Sequence, residues 1–434
     1  METLHRFATS KTPTVARNVS LVLSLALLSL PRVGAAQTTE APATAGSTVL
    51  GEADVIRMAR VRSPAAAVAN ATDELAEARS RTAGLLPNPA LSWARETVDT
   101  GPTAGQGSQD LFTVSVSIDI ARPLATRSLV ASEGAWMRAE ASLSRTDGIL
   151  AAVLAYYDVV LAERQVEVLS QSVANLEEAA RVLERREAAG SASGYESTRL
   201  AVASELSRSH LAEARGALDS AKARLAALLR VRPESVRVAT VLDLISPSDE
   251  TALGRGRGES RQAVRQARES LRLAGEAEDR ADWAWLPTLE LGGGMKRANN
   301  FGTDDGYGYV VGVSLSIPIF DHGQAQRAQA EAQRALAMAR SEALTRTIDA
   351  DVQSALATFR TARAELTRFE SRTSGQVEAL LAAARSGYRE GERTIVELLD
   401  AQRAQTDVAE RRLSLLGTAK RAEARLRAAT GDLQ

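Results

Sequence analysis

The sequence predicts a mainly α-helical chain with a β-barrel part of the membrane type, internally duplicated, whose body is made of long helical hairpins. Three observations carry this. Elements recur at an offset of about 200 residues. Two helical runs of about sixty residues contain no internal proline. Four short segments alternate apolar and polar side chains, and nothing beyond residue 30 is apolar for long enough to cross a bilayer as a helix.

The first 36 residues read as a signal peptide: Arg6, Lys11 and Arg17 precede an apolar run from Val19 to Leu30, and Gly34, Ala35 and Ala36 offer small residues for cleavage before Gln37. Residues 37–48 read as an N-terminal linker. The mature chain is therefore expected outside the cytoplasm, and without any cysteine it is expected to carry neither a disulfide framework nor a lipid on cysteine.

Across its 434 residues the chain is 44% hydrophobic but only 4% aromatic, a balance that favours slender, closely packed helices over a thick core. The net charge of -1 argues against a nucleic-acid partner.

The first repeat is assigned to residues 49–231. Val49 to Gly84 is expected as one helix closed by Pro87 and Pro89. Residues 90–98 and 111–120 follow as a strand pair, the second with Phe112, Val114, Val116, Ile118 and Ile120 on one face and Thr113, Ser115, Ser117 and Asp119 on the other. The loop "TGPTAGQGSQ" between them is glycine-rich and polar, as an exposed barrel loop would be. A helix then runs from Pro123 to about Ala189, spanning on the order of 90 to 100 Å. Leu150, Leu154, Tyr157, Leu161, Leu169, Val173, Leu176, Ala180 and Leu183 form its coiled-coil seam.

A linker at 232–249 leads to the second repeat, 250–430, and a short tail, 431–434. "WLPTLEL" answers "LLPNPAL" and "YVVGVSLSIPI" answers "LFTVSVSIDI". "ELGGGMKR" reads as a strand whose glycines let chains approach closely. Tyr309, Val311, Val313, Leu315 and Ile317 share one face of the last strand. A helix is expected from Gln324 to Tyr388 with Ala355, Phe359, Ala362, Leu366 and Phe369 in its seam. Trp93, Phe112, Tyr307, Tyr309, Trp283 and Trp285 gather at strand ends, where interfacial aromatics belong. A barrel that spans lipid needs about eight strands or more, so four strands per chain require several chains to share one barrel.

No enzyme constellation is present. His5, His210 and His322 are scattered, so no metal-ligand cluster is expected, and "GRGRG" at 254–258 lacks the ending of a phosphate-binding loop. No cofactor is expected.

The stretches "AGLLPNPALS", "LSIPIFDHGQAQRAQAEAQ" and "SGYREGERTIVELLDAQ", in this order, resemble the TolC family of outer-membrane efflux channels, over nearly all of the mature sequence. The resemblance implies a homotrimer with a twelve-stranded barrel in outer-membrane lipid above a helical periplasmic tunnel. It further implies a passive conduit that docks on a periplasmic adaptor and an inner-membrane RND-type pump. Within the family the chain looks most like the CzcC-type outer-membrane components of cobalt-zinc-cadmium efflux, with multidrug efflux or type I protein secretion as the alternative. A periplasmic adaptor or coiled-coil scaffold is the alternative from another class, disfavoured because an adaptor would carry one hairpin rather than two.

By the same resemblance the two helix tips, "EAAGSASGYES" and "SGYREGERTIVEL", lie at the periplasmic mouth. The family's gate residues fall on Glu196, Tyr388 and Arg393, and its acidic ring on Glu397 and Asp400. The usual small hydroxyl residue before the first-tip acid is replaced by Tyr195. Gly190, Gly194 and Gly391 mark the turns expected to meet the adaptor. Glu397 and Asp400, three apart, share a helix face, and copies around an axis would attract cations, although acids at a helix start are stabilised by its dipole in any case.

Overall fold

The computed structural model describes residues 49–433 except 83–84, 86, 98–106, 120–121, 189, 191–192, 240–241, 247–248, 251–260, 301–305 and 374. The expected signal peptide, the N-terminal linker, His5, Ile120, "GRGRG", most of the first strand loop and part of the first helix tip lie outside the described residues.

In chain order the elements are α1 (Glu52–Arg62), α2 (Pro64–Thr82), β1 (Ala90–Thr97), β2 (Gly107–Asp119), α3 (Arg122–Ala188) and α4 (Gly194–Leu229). A 3-10 turn (Pro233–Ser235) precedes α5 (Gln262–Asp282), β3 (Thr288–Asn300), β4 (Gly306–Ser316), α6 (Gln324–Thr373), α7 (Gln376–Glu390) and α8 (Ile395–Thr430). The chain is thus mainly helical with one four-stranded sheet, as its sequence predicts.

Several boundaries differ from expectation; the last strand, for one, starts at Gly306 and ends at Ser316, short of Ile317 and Ile319. The helix expected over 49–84 is two, because Pro64 forces Ser63 into extended backbone (ψ 153°), and the Ser63 hydroxyl then accepts the Ala66 amide at 3.0 Å to start α2. The helix expected over Gln324–Tyr388 breaks at Gly375, whose φ of 81° ends α6, while the Glu378 carboxylate takes the Gly375 amide at 2.8 Å and caps α7. Strand β2 starts at Gly107, four residues before the expected Leu111, since "GSQD" extends the ladder to Asn300 of β3.

The sheet is antiparallel throughout in the order β1-β2-β3-β4, leaving β1 and β4 at its edges. Next to it, the first third of α3 packs between α2 and α5, and α5 packs against α6. Arg145 to Asp73 (2.7 Å) and Arg334 to Glu278 (2.7 Å) are among the ion pairs along this row. Further along, α3 carries α4 on one flank and α8 on the other, with α6 and α7 beyond α8. The 67-residue α3, about 100 Å long, is the spine of both layers.

The main core lies where α1, α3, the end of α4 and the linker meet. Val55, Tyr156, Tyr157, Val160, Leu225, Leu229, Val236 and Val238 bury here, and Leu50 pairs with Val238 as an isolated parallel bridge. A buried polar clamp adjoins it. The Lys420 ammonium sits 3.1 Å from both carboxylate oxygens of Glu423 and also donates to the Asp243 carbonyl, while Glu423 accepts the Ile245 amide at 3.3 Å. Tyr157 donates to Glu52 at 2.9 Å, and Arg427 pairs with Glu52 and Asp432. Burying charges without such partners is strongly unfavourable, so the clamp fixes where the linker crosses α8.

Candidate functional site: the strand wall and the helix tips

The strand register sorts the sheet into two chemically distinct faces. One carries the rows Trp93-Phe112-Met295-Tyr309, Leu91-Val114-Gly293-Val311, Val116-Leu291-Val313 and Ile118-Leu289-Leu315. The other carries Ser92-Thr113-Gly294-Val310, Ala90-Ser115-Gly292-Gly312 and Ser117-Glu290-Ser314. Trp93, Phe112, Tyr309, Val311 and Val313 are all at least half exposed, so among the described residues nothing covers the apolar face. Strand β4, Gly306–Ser316, is about 33 Å long, or roughly 25 Å in height once tilted, which is the scale of the apolar band of a membrane barrel. Among the described residues no helix is long and apolar enough to cross a membrane.

Glycines set how closely the strands lie. A side chain on Gly294 would run into the Phe112 carbonyl and the Thr113 methyl, so β2 and β3 meet here only because this position lacks a Cβ.

At the opposite end, the tips are built by caps. Gly391 (φ 81°) closes α7: the Glu392 amide donates to the Gly387 carbonyl at 2.8 Å and the Arg393 amide to the same oxygen at 3.0 Å. Thr394 then opens α8 with a capping box, its hydroxyl taking the Glu397 amide (3.4 Å) and its own amide donating to the Glu397 carboxylate (2.8 Å). These bonds, with Arg393 at 3.7 Å, hold the Glu397 carboxyl below its ordinary value. In the first tip Gly190 (φ 70°) makes the turn, while Gly194 is the first residue of α4 and sits in open space.

Tyr388 lies between helices, only 1% exposed, in a cluster with Leu176, Val182, Leu200, Leu381, Ile395 and Leu398. The Arg186 guanidinium lies over its ring, 4.8 Å from the centroid, and donates to its carbonyl at 3.4 Å. Burial and the charge of Glu196 push the phenol above its ordinary value, against the pull of Arg186. The Tyr388 hydroxyl and one Glu196 oxygen are both buried without a hydrogen-bond partner.

Of the expected gate residues, Glu196 acts on Tyr388 through its charge without a hydrogen bond between them, whereas Arg393 lies against Gly387 and pairs with Glu397. Asp400 stands apart from Glu397's cap, exposed on the wall of an open groove of about 470 Å³ between α3, α4 and α8, which Tyr195, Val202 and Leu206 also line. Arg186 is the residue that sequence reasoning missed. A basic residue in the last turn of α3 suits the helix dipole, and that signal does not distinguish it from Arg185.

Residues 258–432 match a protein-family model described as outer membrane efflux protein. No curated protein matches the chain by sequence. Among solved structures the chain is similar to CusC (19% identity, TM-score 0.66, covering 87% of this chain and 91% of that one). It is likewise similar to the outer membrane protein VceC of Vibrio cholerae (18%, 0.68, 88% and 96%) and the CmeC outer membrane channel of Campylobacter jejuni (16%, 0.70, 88% and 85%). Residues 258–432 thus match the outer membrane efflux protein family by sequence, and the chain from α1 to α8 has the fold of the TolC-like outer-membrane efflux channels.

Proposed function

We propose that the chain is one subunit of a homotrimeric outer-membrane channel that passively conducts substrates received from a periplasmic adaptor and an inner-membrane RND-type pump. The observation that carries this reading is the sheet: four antiparallel strands, one apolar face continuous across all of them, and two edges left for pairing. Exposed unpaired edges and an uncovered apolar face are both unstable in water, and a membrane barrel shared between copies satisfies both. The helical layers support the same closure. Val61, Val68 and Leu75 form an exposed stripe at seven-residue spacing on α1 and α2, and Leu336 and Met338 are exposed on α6 at the other end of the row.

In this reading the helices extend into the periplasm and the tips form its mouth. Tyr388, Glu196 and Arg393 belong to the gate, Arg186 joins them through Tyr388, and Glu397 and Asp400 supply carboxylates that favour cations. Gly190, Gly194 and Gly391 mark the turns that meet the adaptor. Transport needs no covalent chemistry and no cofactor. Heavy-metal cations are the preferred cargo on the CzcC-like style of the first strand; tight metal ligation is not required of a conduit, because it would slow release.

Outer-membrane fractionation tests the proposal. The full-length chain should sediment with the outer membrane and run as an oligomer that becomes monomeric only on heating. A soluble periplasmic monomer would contradict it.

A further inference from the structure

Among the described strand residues, charge on the apolar face is confined to one level. Arg95 on β1, Asp110 on β2 and Arg297 on β3 lie side by side in register, with Tyr307 completing the row on β4. This row sits two residues beyond Trp93-Phe112-Met295-Tyr309, at the sheet end away from the helices. Every row on the other side of the aromatic belt is uncharged on this face as far as Ile118-Leu289-Leu315.

The row holds two guanidinium groups and one carboxylate. Asp110 orders it: it pairs with Arg95 at 3.1 Å and accepts the Trp93 indole N–H at 3.3 Å. Arg95, Arg297 and Tyr307 remain exposed, Tyr307 by 70%. Arginine forks match phosphate oxygens, and a belt of tryptophan and tyrosine marks headgroup depth.

Resting on the channel reading, we infer that this row binds a phosphate group of a glycolipid in the outer leaflet, one binding surface per protomer. The occupant follows from the chemistry: outward-facing arginines at headgroup depth select a lipid anion, and a phosphomonoester such as those of lipid A offers two charges to a guanidinium pair.

The test uses the purified full-length oligomer in phosphatidylcholine nanodiscs doped with lipid A, with dephosphorylated lipid A, or with phosphatidylglycerol. Bound lipid is counted by native mass spectrometry. The wild type should retain lipid A at least fivefold over its dephosphorylated form and over phosphatidylglycerol. Arg95→Gln with Arg297→Gln should abolish that preference while oligomer size and conductance stay unchanged. Equal retention of the three lipids by the wild type, or an undiminished preference in the variant, would overturn the inference. Failure of the wild type to insert as an oligomer would instead overturn the channel reading.

Discussion

The Arg186 guanidinium rests on the ring of Tyr388, 4.8 Å from its centroid, and joins the last turn of α3 to the last turn of α7. A cation–π contact of this kind is worth about 0.5 to 2 kcal/mol, and it spans the two hairpins of the duplication. Arg186→Ala should therefore raise the frequency of spontaneous openings in planar bilayers. Tyr388→Phe keeps the ring and removes only a hydroxyl that lacks a partner, so it should leave both opening and thermal stability close to wild type. A large increase in opening from Tyr388→Phe alone would shift the latch to the hydroxyl and Glu196.

Lys420 and Glu423 test the buried clamp. Both are nearly sealed from solvent, so Lys420→Met, which strands the carboxylate, should cost about 3 to 5 kcal/mol, and Lys420→Met with Glu423→Leu much less. Burial pushes the Glu423 carboxyl above its ordinary value of 4.5, although Lys420 opposes the shift. A raised folded-state value means that the folded protein holds the proton more tightly. The contribution of Glu423 is thus fully present below 4.5 and is lost as pH rises through the folded value. Denaturant unfolding against pH should show that downward slope in the wild type and lack it in Glu423→Gln.

Glu397 has the opposite sign. Its carboxyl is held low by Thr394 first and Arg393 last, so its contribution is present above 4.5 and is lost as pH falls through the folded value. The protection of the Thr394 amide, its exchange rate relative to the intrinsic rate at the same pH, should fall on acidification in the wild type. In Glu397→Ala the protection should be low at neutral pH and vary little. Full protection in the variant would mean that the capping box does not secure the tip.

Gly294→Val should block barrel formation, because β2 passes where the new Cβ would lie. The variant should accumulate as monomer in outer-membrane extracts, whereas Gly312→Ala, which meets nothing within 4 Å, should assemble normally. Heat-modifiable gel mobility distinguishes the two.

Much of the architecture was legible in the sequence because it rests on periodicity. Alternation in "LFTVSVSIDI" and seven-residue spacing in α3 report local geometry directly. The breaks at Ser63 and Gly375 were readable in principle from Pro64 and from a glycine with glutamate three residues later, yet propensity over the whole run masked them. The site was less legible. Tyr388 and Glu196 are 192 residues apart, and only the packing of four helices brings in Arg186 rather than Arg393. Lys420 and Glu423 look like an exposed helical pair, because sequence spacing carries no information about the linker that buries them.

In the channel proposed here, several copies of this chain close one barrel through their free strand edges and apolar faces. Single-channel recording of the purified full-length oligomer in planar lipid bilayers tests it most directly. A shared barrel should give discrete, uniform conductance steps that favour cations, with block by multivalent cations weakened by Glu397→Ala together with Asp400→Ala. An oligomer that inserts no steps at all, under conditions where a known porin does, would contradict it.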